Sequence, residues 1–156
     1  MLDGTAPRGL HHYYKGGYLR ALADEAIDAL VTVFARVPSP LAQIHVARLG
    51  GAVARVPDEA TAFSGRDAGY LFWTLGSWRP AADAEPYRAW VRETAAALAP
   101  CATGGVYVNL IDRDEGPERV RAAYGAAKYA RLARLKAAYD PDNLFRLNQN
   151  IAPATD

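Results

Sequence analysis

Cysteine is nearly absent from this sequence of 156 residues, in which Cys101 is the only example. One thiol cannot form a disulfide within the chain, and it cannot provide the paired spacing of a cysteine zinc site. The neighbouring histidines His11 and His12 have no third ligand at helical or turn spacing, so we predict no metal site. The shortage of cysteine is typical of a reducing compartment, and we expect a cytoplasmic protein.

An excess of charge and long hydrophobic runs are lacking as well. Lysine and arginine number 18 against 17 aspartate and glutamate residues, which gives a formal net charge of +1. This balance provides no electrostatic footprint for nucleic acid or for an acidic membrane surface. No segment approaches about 18 uninterrupted apolar residues, and no basic stretch precedes an apolar run near Met1, so we expect neither membrane spanning nor secretion.

The sequence does contain a mixture of strand and helix periodicity. Strands are predicted where β-branched and aromatic residues cluster or alternate, and helices where apolar residues recur every three to four positions. The predicted strands are 13–19, 43–56 with an interruption at Gly50-Gly51, 70–75 and 106–110. Helices are predicted from Asp24, from Pro86, and over a last region broken near Gly125. This order predicts an α+β fold, with an antiparallel or mixed sheet covered by helices on one face.

The same patterns predict boundaries and buried faces. We expect a loose N-terminal lead-in over residues 1–12, one domain over 13–153 and a tail over 154–156. Asp24 is the expected cap of the first helix. Three apolar stripes are expected to be buried: Ile27, Leu30, Val31 and Phe34; Tyr87, Trp90, Val91, Thr94 and Leu98; and Tyr129, Leu132, Leu135 and Tyr139.

Residues 139–153, Tyr-Asp-Pro-Asp-Asn-Leu-Phe-Arg-Leu-Asn-Gln-Asn-Ile-Ala-Pro, are too particular to be explained by composition. The Asp-Pro-Asp-Asn at 140–143 predicts a turn that ends the preceding helix, after which Leu144 and Phe145 are expected to pack. The stretch closely resembles the C-terminal signature of the berberine-bridge-enzyme-like family of FAD-linked oxidases. The resemblance implies the C-terminal substrate-domain portion of such an enzyme. The flavin-binding domain is expected to be absent, because no G-x-G-x-x-G opens a helix after a strand.

The resemblance also implies where a flavin would lie. Tyr107 and Asn109 match the family's Tyr-x-Asn motif, which approaches the flavin ring, and Asn148 and Asn150 of the signature are further candidates for cofactor binding. From the residues alone, the amide of Asn109 needs partners for its donor and its acceptor if it is buried. FAD is therefore the expected cofactor where a flavin-binding domain is present, and no cofactor is expected otherwise.

His45 and Tyr107 are the candidate catalytic residues. The resemblance implies that a proton-abstracting group can stand at three positions, which here hold Ala47, Leu71 and Leu110. None of these three side chains can donate or accept a proton. An imidazole can serve as an acid or a base, so His45 is a candidate replacement, with a structural role as the alternative.

Tyr14, Trp73 and Asn109 are the candidates for a substrate pocket. The Tyr14-Lys15 pair is similar to an aromatic-lysine pair of the family's substrate domain. Trp73 could stack on a flat substrate, and packing in the core is the alternative interpretation.

Three functional hypotheses follow. The chain is a stand-alone or split substrate-binding portion of an FAD-dependent oxidoreductase that acts on a small natural-product-type molecule. Alternatively, it is a cofactor-free enzyme of secondary metabolism that catalyses a redox-neutral cyclisation or isomerisation, or it is a non-catalytic binding module. An uncovered sheet face would be a large apolar patch, so we also expect a partner, either a separate flavin-binding domain or a second copy.

Overall fold

The computed structural model describes residues 7–155. Within that range, the strands β1 (His11–Leu19), β2 (Gln43–Arg48) and β3 (Tyr70–Trp78) form one antiparallel sheet in the order β1-β3-β2. The helices are α1 (Asp24–Phe34), α2 (Ala52–Arg55), α3 (Glu85–Leu98), α4 (Pro117–Tyr124) and α5 (Ala126–Tyr139). The predicted α+β fold is confirmed, and its sheet is antiparallel. None of the helices in the described range has both the length and the apolar character needed to cross a membrane.

The central strand β3 organises both faces of the sheet. Gly17 of β1 lies opposite Phe72, which in turn lies opposite Val46 of β2. Because side chains alternate along a strand, Phe72 and Thr74 point to one face, while Trp73 points to the other. Phe72 and Thr74 are buried and Trp73 is only half-buried. The first face therefore meets the core, and the second stays partly open.

Helix α3 provides the cover of the core face. It packs across β1 and β3, and α1 packs against α3. The indole N–H of Trp90 donates to the carbonyl of Val33 at 2.8 Å, which ties α3 to α1. Of the predicted inner face of α3, four residues are buried and Tyr87 is half-buried: Trp90, Val91, Thr94 and Leu98.

Helix α1 differs from the prediction at its start and on its buried side. Asp24 is the first helical residue and Ala23 occupies the cap position without a side-chain hydrogen bond. Ala26 and Val33 are the buried residues of α1. The predicted stripe is largely exposed, with Val31 at 64% and Phe34 at 53%. The 3.6-residue period identifies an apolar side of a helix but does not show which neighbour covers it.

Two predicted strand segments are not strands. After β2, the N–H of Leu49 bonds to the carbonyl of Gly69 at 2.9 Å, and the chain then turns at Gly51 (φ 55°) into α2 instead of continuing as strand over 52–56. In the second segment, Thr103 N–H bonds to the Tyr18 carbonyl at 2.9 Å, so contact with β1 is made before residue 106. Residues 108–110 then form a 3-10 turn. Short apolar runs carry no signal that separates a strand from a tight turn.

The C-terminal region confirms the predicted break and corrects the predicted packing. Gly125, with φ 75°, separates α4 from α5. Tyr139 is 86% exposed, and Leu144 and Phe145 are also exposed rather than packed. Leu135 is exposed too, so the predicted inner stripe of α5 is wrong at two of its positions.

Regular contacts reach into both predicted terminal segments. Strand β1 begins at His11, inside the predicted lead-in. The N–H of Ala154 bonds to the Ala133 carbonyl at 3.0 Å, so the predicted tail begins in contact with α5. Residues 1–6 of the lead-in and residue 156 lie outside the described range.

Candidate functional site

The site is built where residues 106–112 cross the open face of the sheet at β1. A Cβ placed on Gly16 would lie 2.8 Å from Leu110 Cδ1 and 2.8 Å from the backbone oxygen of Phe72. Glycine at this position therefore lets the segment lie directly on the strand. The buried side chains of Val106 and Ile111 pack with Val120 of α4, and this small core fixes the segment from its other side.

A groove of about 860 Å³ opens beside this contact. Tyr14 from β1, Asn109 from the crossing segment and Asn148 from the C-terminal signature line it. The structure thus brings three of the sequence-predicted site residues into one place from three distant parts of the chain. The volume is within the range of about 300–1,000 Å³ that is usual for small-molecule sites.

Two contacts position the groove residues. The carboxylate of Asp112 accepts the backbone N–H of Tyr14 at 3.2 Å, which ties the crossing segment to β1. The side-chain amide of Gln149 donates to the carbonyl of Ile111 and holds the signature beside the same segment. Sequence reasoning missed Asp112 and Gln149. The available signal for Asp112 was the acidic cluster that begins three residues after the Tyr-x-Asn motif.

The phenol of Tyr14 is held in its neutral form. Burial raises its pKa, and the negative charge of Asp112 raises it further, while Arg113 acts in the opposite direction. At neutral pH Tyr14 is therefore a hydrogen-bond donor or acceptor in the groove, and a poor base.

A charged cluster supports one wall of the groove, to which Tyr13 and Asp114 contribute. The Tyr13 hydroxyl donates to Asp114 Oδ2 at 2.7 Å, and Lys15 Nζ lies 3.3 Å from both Asp114 and Glu115. Burial and then the bond to Asp114 raise the pKa of Tyr13. Burial opposes ionisation of Asp114, but the bonds from Tyr13 and Lys15 outweigh it, and its pKa lies below the usual range. These groups satisfy one another, which indicates a structural role for the wall.

Tyr107 lies in a smaller adjoining pocket of about 210 Å³, which shares Asn109 with the groove. The amide of Asn109 donates to the Tyr107 hydroxyl at 2.7 Å, and this contact links the two predicted cofactor-binding residues. The hydroxyl of Tyr18, another residue of the pocket, donates to the Ser64 carbonyl at 3.0 Å. Burial, followed by the neighbouring Tyr107, raises the pKa of Tyr18 to about 12.

His45 and Trp73 lie apart from both cavities. Their rings stack at 4.6 Å with an interplanar angle of 5°, and His45 Nε2 is 2.8 Å from Gln43 Oε1. They occupy opposite positions on β2 and β3, on the open face of the sheet. The structure therefore joins the two predicted residues to each other and not to Tyr107 or Tyr14.

Asp140 organises the signature. Its carboxylate accepts the backbone N–H groups of Leu144 at 2.8 Å and Phe145 at 3.1 Å, and it also accepts a bond from Lys136. Lys136, and then the two backbone donors, lower the pKa of Asp140 against the opposing effect of burial. Asn148 follows in a left-handed conformation with φ 60°. This arrangement turns the chain so that Asn148 reaches the groove.

Asn150, the last predicted cofactor-binding residue, lines neither cavity. Its Oδ1 atom is buried without a hydrogen-bond partner among the described residues. A buried acceptor without a hydrogen bond destabilises the fold unless another group donates to it. Asn150 therefore remains a candidate for ligand contact.

The residues fit the polar edge of a flavin ring. Amide groups can both donate and accept hydrogen bonds, as the nitrogen and carbonyl atoms of an isoalloxazine require, and Asn109 and Asn148 place two amides beside one groove. The sequence has no glycine-rich turn of the dinucleotide-binding type. The fit therefore covers the ring and not the diphosphate. No cluster of three or more potential metal ligands occurs in residues 7–155.

Comparison with known proteins places the chain in a family. The sequence model of the family described as "Berberine and berberine like" matches residues 106–152, which include the Tyr-x-Asn motif and the signature. The uncharacterized FAD-linked oxidoreductase YvdP of Bacillus subtilis is 33% identical over 133 residues, which are 85% of this chain and 29% of that protein. Aclacinomycin-N/aclacinomycin-A oxidase of Streptomyces galilaeus is 29% identical over 157 residues, covering 89% of this chain and 29% of that enzyme.

Solved structures agree with the sequence matches. A variant of Physcomitrella patens BBE-like 1 superposes with a TM-score of 0.78 and 26% identity, covering 93% of this chain and 31% of that one. A glycopeptide hexose oxidase complexed with teicoplanin superposes with a TM-score of 0.78 and 27% identity, covering 93% and 33%. The chain spans only about 30% of the length of the curated relatives that it matches. The chain belongs to the berberine-bridge-enzyme-like family, and the curated relatives that it matches include proteins named as FAD-linked oxidoreductases.

Proposed function

We propose that this chain forms the substrate-side wall of an FAD-dependent oxidoreductase site that acts on a small natural-product-type molecule. The observation that carries the proposal is the convergence of Tyr14, Asn109 and Asn148 on one groove. A flavin-binding portion, in the same or another polypeptide, would hold the rest of the cofactor. The names of two relatives, an aclacinomycin oxidase and a hexose oxidase complexed with teicoplanin, support the class of substrate.

Each groove residue has a defined task in this proposal. A bound flavin supplies the hydride acceptor. The amides of Asn109 and Asn148 orient the ring by hydrogen bonds, and Tyr14 orients the substrate as a neutral phenol. Tyr107, which accepts a hydrogen bond from Asn109, is the proposed site for holding or moving a proton at its hydroxyl oxygen.

Apolar residues occupy the three positions at which the family resemblance implies a catalytic base. Ala47 and Leu71 lie opposite each other on the open face of the sheet, and Leu110 lies over Gly16. No proton-transfer group therefore occupies the three positions at which the family resemblance implies a base. In our proposal a base comes from Tyr107 or from the flavin-binding portion.

Titration of the purified chain with FAD tests this function. We expect a shift of the visible flavin spectrum on binding. Asn148→Ala should weaken the binding about three- to tenfold, which is the loss of one neutral hydrogen bond. Gln43→Ala, which removes an amide from the far strand β2, is the matched control and should leave the binding unchanged. If adding the chain leaves the visible spectrum of FAD unchanged, the proposal is refuted for the isolated chain.

A redox-neutral cyclisation or isomerisation is the second candidate. It is favoured by the His45 imidazole, which stacks on Trp73 and lies beside Gln43 on the open face of the sheet. Such an enzyme would bind its substrate without flavin and would lose activity in His45→Gln, while Asn148→Ala would retain it. A bell-shaped pH profile that loses one limb in His45→Gln would separate this role from simple packing.

A further inference from the structure

The pocket of about 210 Å³ around Tyr107, which we call the Tyr107 pocket, has the size and the wall of a site for one ring. Four of the residues that line it are aromatic: Tyr18, Phe63, Tyr107 and Tyr124. Phe63 and Tyr107 meet edge to face, with their ring centroids 5.7 Å apart. An apolar cavity of about 150 Å³ is large enough to hold benzene. The Tyr107 pocket can therefore accept a six-membered ring, and its wall favours a ring that is itself aromatic.

Hydrogen bonds within the chain hold the Phe63 side of this pocket in place. The ammonium group of Lys128 in α5 donates to the Phe63 carbonyl at 2.7 Å and to Ser64 Oγ at 3.0 Å. Ser64 Oγ donates in turn to the Tyr124 carbonyl at 3.0 Å, at the end of α4. The Ser64 carbonyl accepts the hydroxyl of Tyr18 in β1 at 3.0 Å. The wall is therefore preformed, and a ligand that binds there loses little free energy in ordering it.

Two hydroxyl groups make the same pocket polar. The Tyr107 hydroxyl accepts the side-chain amide of Asn109 at 2.7 Å, and among the described residues nothing accepts its own proton. The hydroxyl of Tyr124 makes no hydrogen bond within residues 7–155. Burial, followed by the neighbouring Tyr107, raises the pKa of Tyr124, so this phenol is neutral near pH 7 and can both donate and accept. The aromatic pocket thus offers hydrogen bonds to an oxygen atom on the bound ring.

We propose that the Tyr107 pocket binds one phenolic ring of the substrate and anchors the molecule beside the groove. This inference rests on the proposed function, because the pocket shares Asn109 with the groove in which the reacting part of the substrate would lie. A phenolic oxygen accepts a hydrogen bond from Tyr107 and can donate one to Tyr124. An aliphatic ring of the same size gains no edge-to-face contact with Phe63, so the pocket selects against it.

Titration of the flavin-free chain with phenol tests the assignment, because amide NMR spectra report the place of binding and the affinity together. Phenol should shift the amide signals of residues 62–64 and 106–109, which line the pocket. Its dissociation constant should be on the order of millimolar, as suits a ligand of one ring. Toluene, which lacks the hydroxyl group, should bind about three- to tenfold more weakly. Cyclohexanol, which lacks the aromatic ring, should also bind about three- to tenfold more weakly than phenol.

Two variants separate the ring contact from the hydrogen bond. Phe63→Ala removes the aromatic wall and should weaken phenol binding about tenfold. Tyr107→Phe removes only a hydroxyl group, so it should weaken phenol about three- to tenfold and leave toluene unchanged. The matched controls Phe145→Ala and Tyr139→Phe change exposed rings that do not line the pocket, and phenol binding should stay as in the natural chain. Circular dichroism checks that each variant is folded.

The result that would overturn this inference is a phenol titration that leaves residues 62–64 and 106–109 unshifted. Equal affinities for phenol, toluene and cyclohexanol would also overturn it, as would controls that weaken phenol as much as Phe63→Ala does. The titration contains no flavin, so its outcome is separate from that of the FAD titration. A chain that shifts the FAD spectrum and does not bind phenol refutes this inference alone. A chain that binds phenol in the pocket and leaves FAD unchanged refutes only the flavin function of the isolated chain.

Discussion

Gly16→Ala should destabilise the fold at the contact that supports the candidate site. The new Cβ would lie 2.8 Å from Leu110 Cδ1 and 2.8 Å from the Phe72 backbone oxygen. Ordinary non-bonded carbon contacts lie at about 3.5–4.0 Å, so the neighbours would have to move by about 0.7 Å or more. Leu110 can rotate, but the oxygen of Phe72 belongs to the central strand and cannot move without the sheet.

The magnitude follows from two opposing effects. Overpacking in a well-packed region costs about 1–3 kcal/mol. Gly16 is not among the glycines with positive φ, so alanine fits the backbone and recovers about 0.4–1 kcal/mol through the unfolded state. We expect the free energy of unfolding to fall by about 1–2 kcal/mol, which corresponds to a melting temperature lower by about 2–8 °C for a chain of this size.

Urea unfolding, followed in parallel by tryptophan fluorescence and far-UV circular dichroism, measures this change and checks two-state behaviour. Gly116→Ala is the control, because a Cβ there meets nothing within 4 Å and the change should stay below about 1 kcal/mol. Adding Leu110→Ala to Gly16→Ala should show a favourable coupling of about 0.5 kcal/mol or more, since it removes one of the two close contacts. If Gly16→Ala is as stable as the natural chain, the described contact between the crossing segment and the sheet is wrong.

Three further predictions concern the core and the ionisable groups. Leu98→Ala, at a fully buried position, should lower the free energy of unfolding by about 2–5 kcal/mol in urea; a loss under 1 kcal/mol would contradict the packing of α3 on the sheet. Asp140 has a lowered pKa, so its contribution is present above the unfolded value of about 3.9 and is lost as the pH falls through the folded value. The stability difference between the natural chain and Asp140→Asn should be constant from pH 7 to about pH 5 and shrink below pH 4, and a difference that changes near pH 7 would refute this. Tyr18, with a pKa of about 12, should be among the last phenols to ionise in an ultraviolet titration, and the step near pH 12 should disappear in Tyr18→Phe; its stabilising effect is present below pH 10 and is lost between about pH 10 and pH 12.

Signals contained within short stretches of sequence were sufficient for much of the fold. Pro86 lies in the first turn of α3, and Gly125 separates α4 from α5. The signature at 139–153 indicated the family that the comparisons support. These features are local: proline fixes one dihedral angle, glycine permits a positive φ, and a long specific motif needs no neighbours to be recognised.

Only the tertiary structure decided which surfaces meet. The apolar stripe of α1 was predicted to be buried, but Val31 and Phe34 are exposed because α1 turns Ala26 and Val33 toward the core. Likewise the run at 106–110 has strand-like composition and forms a turn, because the chain has already made its contact with β1 at Thr103.

The candidate site shows the same division. The sequence by itself identified Tyr14, Asn109 and Asn148 as residues of interest and determined the α+β class. Their convergence on one groove, and the separation of His45 and Trp73 from it, depend on how a strand, a crossing segment and the signature pack together. Periodicity and motifs describe neighbours along the chain, whereas a site depends on contacts between residues that are about a hundred positions apart, and only the packed fold determines those contacts.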